Sequence, residues 1–359
     1  MWRSGEAANQ KGTQRSRLVL ERTGNKMEQM FAVRRAERNG VCEDDMRHLF
    51  IINPAAGKRE STAKLEQLLE RLSFDHEVVY TTGEGHDQNI AAQAVREGGP
   101  VRIYACGGDG TLNEVVNGAA GHGQAAITCV PKGTGNDFLK VFGSDYRTLF
   151  YDLEKLAVGP QTPFDLIDCN GKLGIDVVCT GVDARIAADV HRYKDWPFVS
   201  GMGAYCLALV ENVLFKGISR PMSVHMGERE WSGDTAIVCV CNGRHYGGGF
   251  MPVPEAMPDD GVLDMLLIPK VSLLTFARLV GKYAQGLYRD YPELIWDYHG
   301  ARVDCASREE MIAVVDGEVM RDRKFTIRLS EKKVNFFYPE GAVYAPRTGW
   351  ATEREACVR

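Results

Sequence analysis

The chain has 359 residues, 44% hydrophobic and 25% charged, with a formal net charge of -5. That balance suits a globular protein long enough for two cores, and its acidic sign argues against a nucleic-acid binder, which presents a basic face. Ten cysteines without a CxxC pair and eight histidines without HExxH spacing support neither a zinc centre nor a disulfide framework.

Residues 1–46 are polar, basic through Arg38 and without sustained periodicity, and read as a disordered tail. From 47 to 163 strands and helices alternate. HLFII leads into NPAAGK and a helix with Leu65, Leu68, Leu69 and Leu72 on one face. EVVY leads into TTGEGHD and a helix that Asp87 caps and Gly98 ends. VRIYA (Val101–Ala105) leads into CGGDGTLNEVVN, where Leu112, Val115, Val116 and Ala119 fall at i, i+3, i+4, i+7; AAITCV leads into PKGTGNDF. This is a parallel α/β layer, with glycine-rich or polar loops at the carboxyl ends of strands, where open α/β sheets hold ligands.

From 164 to 341 the texture changes to ten short β runs, FDLID through KVNFFY, which predict an antiparallel β-sandwich. Helical stretches at Gly201–Phe215 and Ser272–Tyr288 interrupt it, the second capped by Ser272, and a final hairpin could pack back onto the first domain. Residues 342–359 read as a second tail. The longest uncharged stretch, Trp196–Val210, falls short of the ~18 apolar residues a membrane span needs. No n-region, h-region and cleavage site opens the chain, so a cytoplasmic protein, free or peripheral to a membrane, is expected.

Four loops carry candidate chemistry. NPAAGK (Asn53–Lys58) is not a Walker A loop, since the upstream glycine is missing and Arg59 follows the lysine; alone it is a turn. In GGDGTLNE (Gly107–Glu114), Gly107, Gly108 and Gly110 permit close backbone approach at a helix N-terminus that favours anions. Asp109 can take a magnesium ion or its water, Thr111 can donate to a phosphate oxygen, and Asn113 and Glu114 follow on the first helical turn. PKGTGND (Pro131–Asp137) repeats the pattern with Gly133, Thr134, Gly135 and Asp137, and Lys132 adds positive charge. In VVDGEVM (Val314–Met320) continued strand geometry would put Asp316 and Glu318 on one face, although DGE alone is a common turn.

Together with NGRHYGGG (Asn242–Gly249) and PDDGVLD (Pro258–Asp264), these six motifs, in order and spacing, resemble the soluble diacylglycerol kinase catalytic family of the bacterial lipid kinase type, over Arg47–Gly341. The resemblance implies a Rossmann-like, NAD kinase/phosphofructokinase-like α/β nucleotide domain, a β-sandwich domain, and an active site in the cleft between. It implies ATP binding by Asn53, Pro54, Gly57, Lys58, Thr82, Gly108, Asp109, Gly110, Thr111, Leu112, Asn113, Glu114 and Thr134. Glu318 would take the proton of the lipid hydroxyl, with Asp109 and Lys58 beside the reaction centre. Mg²⁺ would sit on Asp260 and the carbonyls of Met257 and Val262, and Asp109, Asp137 and Asp165 would form a linked water and magnesium network. Gly247–Gly249 and the stretch from Trp196 to Phe215 would border an acyl-chain entrance, the latter doubling as a core helix. The implied reaction is transfer of the ATP γ-phosphate to diacylglycerol at a membrane surface, by a protein compatible with homodimerisation. A sphingoid-base or other long-chain-alcohol kinase, an NAD kinase, and an inactive lipid-binding regulator are the alternatives.

Overall fold

A computed structural model describes residues 31–34, 46–194 and 207–344. Strands β2 (Arg47–Ile52), β3 (His76–Tyr80), β4 (Val101–Gly107) and β5 (Ala125–Pro131) form a parallel sheet in the order β3-β2-β4-β5. Helices α1 (Arg59–Leu69), α2 (His86–Arg96) and α3 (Asp109–Ala119) make the crossovers, and two short helices, α4 (Tyr146–Phe150) and α5 (Leu153–Val158), follow β5. Phe50–Ile52 and Ile103–Cys106 are fully buried, as strands covered on both faces are. The helices turn Leu65 and Leu69, Ile90, Ala91 and Ala94, and Leu112, Val115, Val116 and Ala119 onto this core.

Two additions to this sheet come from outside the alternating stretch. β1 (Phe31–Arg34) pairs antiparallel with β3 at the edge, so this part of the expected tail is a strand. β16 (Val334–Phe337) joins β5 in parallel and carries β6 (Gln161–Phe164) on its far side. The last strand of the sandwich pattern therefore completes the first unit's sheet. Phe336 stacks on Phe164 at 5.4 Å between ring centroids, edge-on to Phe138, which anchors this return.

Among the described residues the second unit has nine antiparallel strands: β7 (Ile167–Cys169), β8 (Lys172–Gly174), β9 (Val177–Gly181), β10 (Arg220–Met226), β11 (Arg229–Cys241), β12 (Leu263–Pro269), β13 (Trp296–Gly300), β14 (Arg302–Val315) and β15 (Glu318–Leu329). The long strands β11 and β14 are bridged first by β10 and then by β9, and each breaks register between the two. Val238 and Val240 of β11 face a core shared with Phe325 and Ile327. Ile237, Cys239 and Cys241 face the other way, under α6 (Val182–Lys194) and α7 (Leu273–Tyr283). Cys239 and Cys241 are free thiols buried in this apolar core.

Three local expectations change. Asp87 is not a cap: Gly85, at φ +77°, occupies that position and Asp87 is buried in the first turn. Ser272 does cap α7, its Oγ accepting Thr275 N–H at 3.1 Å, but the helix ends at Tyr283 because Gly286 turns the chain at φ +72°. A third helix, α6, interrupts the sandwich where two helical stretches were expected. Of the Gly201–Phe215 helix, residues 207–215 are helical, and 201–206 lie outside the described residues.

Candidate active site

The three glycine-bearing loops of the first unit pack on one another, and that packing explains their composition. A Cβ on Gly133 would stand 2.6 Å from Gly108 Cα, and one on Gly57 would stand 2.0 Å from Lys132 O. Gly107 O accepts the N–H groups of Lys132 and Gly133 at 2.9 and 3.0 Å, and Asn53 Nδ2 donates to Thr111 Oγ1 at 3.1 Å. Lys132 is buried, donating from Nζ to Asn53 O at 2.9 Å, so it pins the first loop from below and leaves the surface uncharged there. Arg147, which no sequence pattern marked, donates to the carbonyls of Gly133 and Thr134 at 2.9 and 3.1 Å.

Above this platform is a polar cavity of about 690 Å³. It gathers Asn53, Pro54, Thr82, Gly110, Thr111 and Glu114 from the first unit and, from the second, Gly317, Glu318 and Arg321. Other predicted nucleotide residues lie elsewhere. Lys58 is exposed at the N-cap of α1, and Gly57 and Gly108 serve loop packing. Leu112, Asp109 and Thr134 line a second cavity. Asn113 faces neither: it is fully buried, and its Nδ2 donates to Leu173 O at 2.8 Å and to Asp316 Oδ2 at 3.1 Å.

The expected pairing of Asp316 with Glu318 on one strand face is corrected. Asp316 (φ +48°) and Gly317 (φ +98°) are the two turn residues between β14 and β15, the positive-φ pair that Asp-Gly adopts in a tight hairpin. Asp316 turns inward, its carboxylate accepting the N–H groups of Ile175, Asp176 and Val177 at 2.7, 3.0 and 3.0 Å. Glu318 opens β15 half-buried, its Oε1 3.5 Å from where a Cβ on Gly110 would stand, over the first turn of α3.

Asp109, at the start of α3, accepts Asn136 N–H at 2.9 Å and Asp137 N–H at 2.6 Å. Burial, with the charges of Asp137 and Asp316 nearby, pushes its carboxyl up to about 6. Asp176, fully buried beside the same carboxylates, is pushed well above the usual range by burial first and by Asp316 second. Its Oδ1 has no hydrogen-bond partner among the described residues.

The second cavity, about 480 Å³, begins at Asp109, Asp137 and Asp316 and runs between the helices and sheet of the second unit, walled by Val182, Ile186, Phe250, Phe276 and Val280. Gly247, Gly248 and Leu209 also line it, in keeping with the glycine loop and the 196–215 stretch singled out in the sequence. Within it lies one polar cluster: Tyr246 OH donates to Asp183 Oδ2 at 3.1 Å, and Tyr283 OH stands 3.1 Å from Tyr246 OH. Burial pushes Asp183 up to about 6.

At the expected metal site, Asp260 is exposed, its Oδ1 accepting Val262 N–H at 3.1 Å. Asp165 is fastened to the same turn, Oδ2 accepting Gly261 N–H at 2.8 Å, with Lys333 Nζ 2.7 Å from Oδ1. Asp137 meets Asp109 through its backbone, whereas the side-chain contacts of Asp165 join it to this turn and Lys333. No cluster of three or more His, Cys, Asp or Glu side chains able to hold a metal occurs among the described residues. The set implied by the resemblance, one carboxylate with two backbone carbonyls, is all oxygen, the donor chemistry of a hard cation such as Mg²⁺.

Residues 47–169 match the family model of the diacylglycerol kinase catalytic domain, and 176–337 that of the YegS C-terminal NAD kinase beta sandwich-like domain. A Pseudomonas aeruginosa protein named "Probable lipid kinase YegS-like" is 29% identical over 279 residues, 74% of this chain and 85% of that one. A Pseudomonas putida protein of the same name is 34% identical over 202 residues, 54% of this chain and 64% of that one. The crystal structure of a diacylglycerol kinase from Bacillus anthracis str. Sterne superposes with a TM-score of 0.61 at 19% identity, covering 83% of this chain and 98% of its own, a likeness of fold. With both units matched and the loops of each meeting at one site, the chain belongs to the diacylglycerol kinase catalytic-domain family and is an enzyme of the lipid kinase type.

Proposed function

We propose that the protein transfers the γ-phosphate of ATP to the hydroxyl of diacylglycerol, giving phosphatidic acid, or to that of a similar lipid alcohol. One observation carries this reading. Gly317, beside Glu318, lines both the polar cavity and the apolar one. A nucleotide in the first and a lipid in the second would meet at Glu318.

Phosphoryl transfer requires positioning and charge neutralisation more than covalent help. Asn53, Thr82, Gly110, Thr111 and Glu114, which line the polar cavity, would hold the nucleotide there, whereas Asp109 and Thr134 line the apolar cavity and Lys58 lies outside both. Glu318 takes the lipid hydroxyl's proton as that oxygen bonds to the γ-phosphorus and the bond to the β-phosphate oxygen breaks, releasing ADP. Asp260, with the carbonyls of Met257 and Val262, would hold Mg²⁺, whose chemistry there would be to supply positive charge, and Asp109, Asp137 and Asp165 would orient its surroundings. The helices bounding the apolar cavity expose Leu214, Phe215 (82%), Leu273 and Leu274 (62%), suited to a membrane surface from which a lipid enters.

The full chain with ATP, Mg²⁺ and diacylglycerol in mixed micelles should form phosphatidic acid, and Glu318→Gln should abolish turnover with an unchanged melting temperature. Full activity in that variant removes Glu318 as the base, and wild-type transfer to NAD but to no lipid overturns the reading.

A second reading, a long-chain alcohol bearing an extra amine or hydroxyl, draws on the Asp183 cluster. Each tyrosine has one proton; Tyr246 donates its own to Asp183 and Tyr283 donates to Tyr246, so only acceptors face the cavity. The ester carbonyls of diacylglycerol are also acceptors, whereas an amino alcohol supplies donors. A higher kcat/KM for sphinganine than for dioleoylglycerol, lost in Asp183→Asn, would select this second reading.

A further inference from the structure

The polar cavity presents an electrostatic problem for the nucleotide assigned to it. Three carboxylates line it, Glu84, Glu114 and Glu318, and a triphosphate entering it is strongly anionic. The N-terminus of α2 offsets part of this, since Glu114 accepts the N–H groups of Gly85 and Gln88 at 2.8 and 3.4 Å. The lysines flanking the loops contribute little to the lining. Lys58 is outside it, and Lys132 is buried with its ammonium on Asn53 O. Among the described residues that line the cavity, Arg321 is the only cation.

Arg321 lies on β15, three residues after Glu318, paired in register with Ile312 of β14. The ion pair that holds its guanidinium among the described residues is slack: Nη1 stands 3.4 Å from Glu310 Oε1, and the two side chains are 54% and 61% exposed. Exposed pairs of this kind are easily broken, and a guanidinium presents a planar fork of donors that matches a phosphate bidentately. We infer that Arg321 binds the terminal phosphate of the nucleotide, leaving Glu310 to do so, and neutralises the charge that develops on the transferring phosphoryl group. The second unit then supplies both the base and the phosphate-binding cation from one strand. This rests on the kinase reading for its reaction but not for its binding step.

The test uses the full chain with Arg321→Ala, Arg321→Lys and Glu310→Ala. Binding of ATP, AMP and adenosine is measured directly, and turnover is followed on a lipid substrate. Arg321→Ala should weaken ATP binding while leaving AMP and adenosine unchanged, and should lower kcat by about 10³-fold. Added guanidinium chloride at millimolar levels should restore part of that loss, Arg321→Lys should lie between, and Glu310→Ala should bind ATP at least as tightly as wild type. Wild-type ATP affinity and kcat in Arg321→Ala overturn the inference, as does an equal loss for ATP and adenosine, which would mark a structural role. A wild-type protein that phosphorylates no lipid defeats the parent reading, yet the ATP-against-adenosine comparison still decides Arg321.

Discussion

Asn113 Nδ2 lies 3.1 Å from Asp316 Oδ2, joining the first turns of α3 to a hairpin turn 203 residues later. The same carboxylate holds three successive N–H groups at the β8–β9 junction. The base candidate Glu318, two residues on, is aimed by this knot.

Removing the knot should therefore cost both stability and activity. Asp316→Ala leaves three buried N–H groups and an amide without their acceptor, which should destabilise the fold by about 3 kcal/mol. Asn113→Ala should cost about 1–2 kcal/mol, because the backbone donors stay satisfied. Thermal unfolding ranks the two, and an Asp316→Ala protein as stable as wild type would show that the hairpin is held elsewhere.

The glycine platform predicts a position-specific penalty. Gly133→Ala places a methyl against Gly108 Cα and should cost about 1–3 kcal/mol and weaken ATP binding, because the two loops must separate. Gly123→Ala, with nothing within 4 Å of the new carbon, should leave ATP binding unchanged. Isothermal titration with ATP, alongside melting curves, distinguishes the pair.

Filling the apolar cavity should separate lipid from nucleotide. Val280→Trp narrows it between α7 and the sheet and should lower kcat/KM for a long-chain lipid about tenfold or more, with ATP affinity unaltered. If lipid kinetics are untouched while the fold is intact, the acyl chains run elsewhere.

Asp87 gives a pH signature. Burial first, and the charge of Glu114 second, raise its carboxyl from 3.8 to about 7. A raised carboxylate contributes stability that is complete below pH 3.8 and is lost as pH rises through about 7, when the buried group must ionise. Asp87→Asn should flatten stability over that window and be the more stable protein at pH 8, by about 1–2 kcal/mol. Urea melts at pH 4, 6 and 8 read this directly, and parallel curves for the two proteins would contradict it.

Local chemistry made much of the polar cavity's lining legible. Asn53, Thr82, Gly110, Thr111 and Glu114 sit at strand ends and helix starts, and the period that marks a strand or helix also marks where its loop must fall. In the second unit, strand geometry sends Val238 and Val240 to one face and Ile237 and Cys239 to the other. Where a side chain points at a turn is not periodic. Asp316 was misplaced because a positive φ reverses the alternation, and Lys132 because its partner Asn53 lies 79 residues away. β16 belongs to the first sheet because β5 offers an unpaired edge, a fact held by neither strand's own sequence. The apolar cavity, the cluster on Asp183 and the shared lining of one cavity by Gly110 and Arg321 likewise join segments far apart in the chain. The sequence by itself determined the elements and the glycine-bearing loops between them, because those follow from backbone sterics and local hydrogen bonding. Only the tertiary structure decided which charges meet, because burial and long-range contact set the partner and protonation of each.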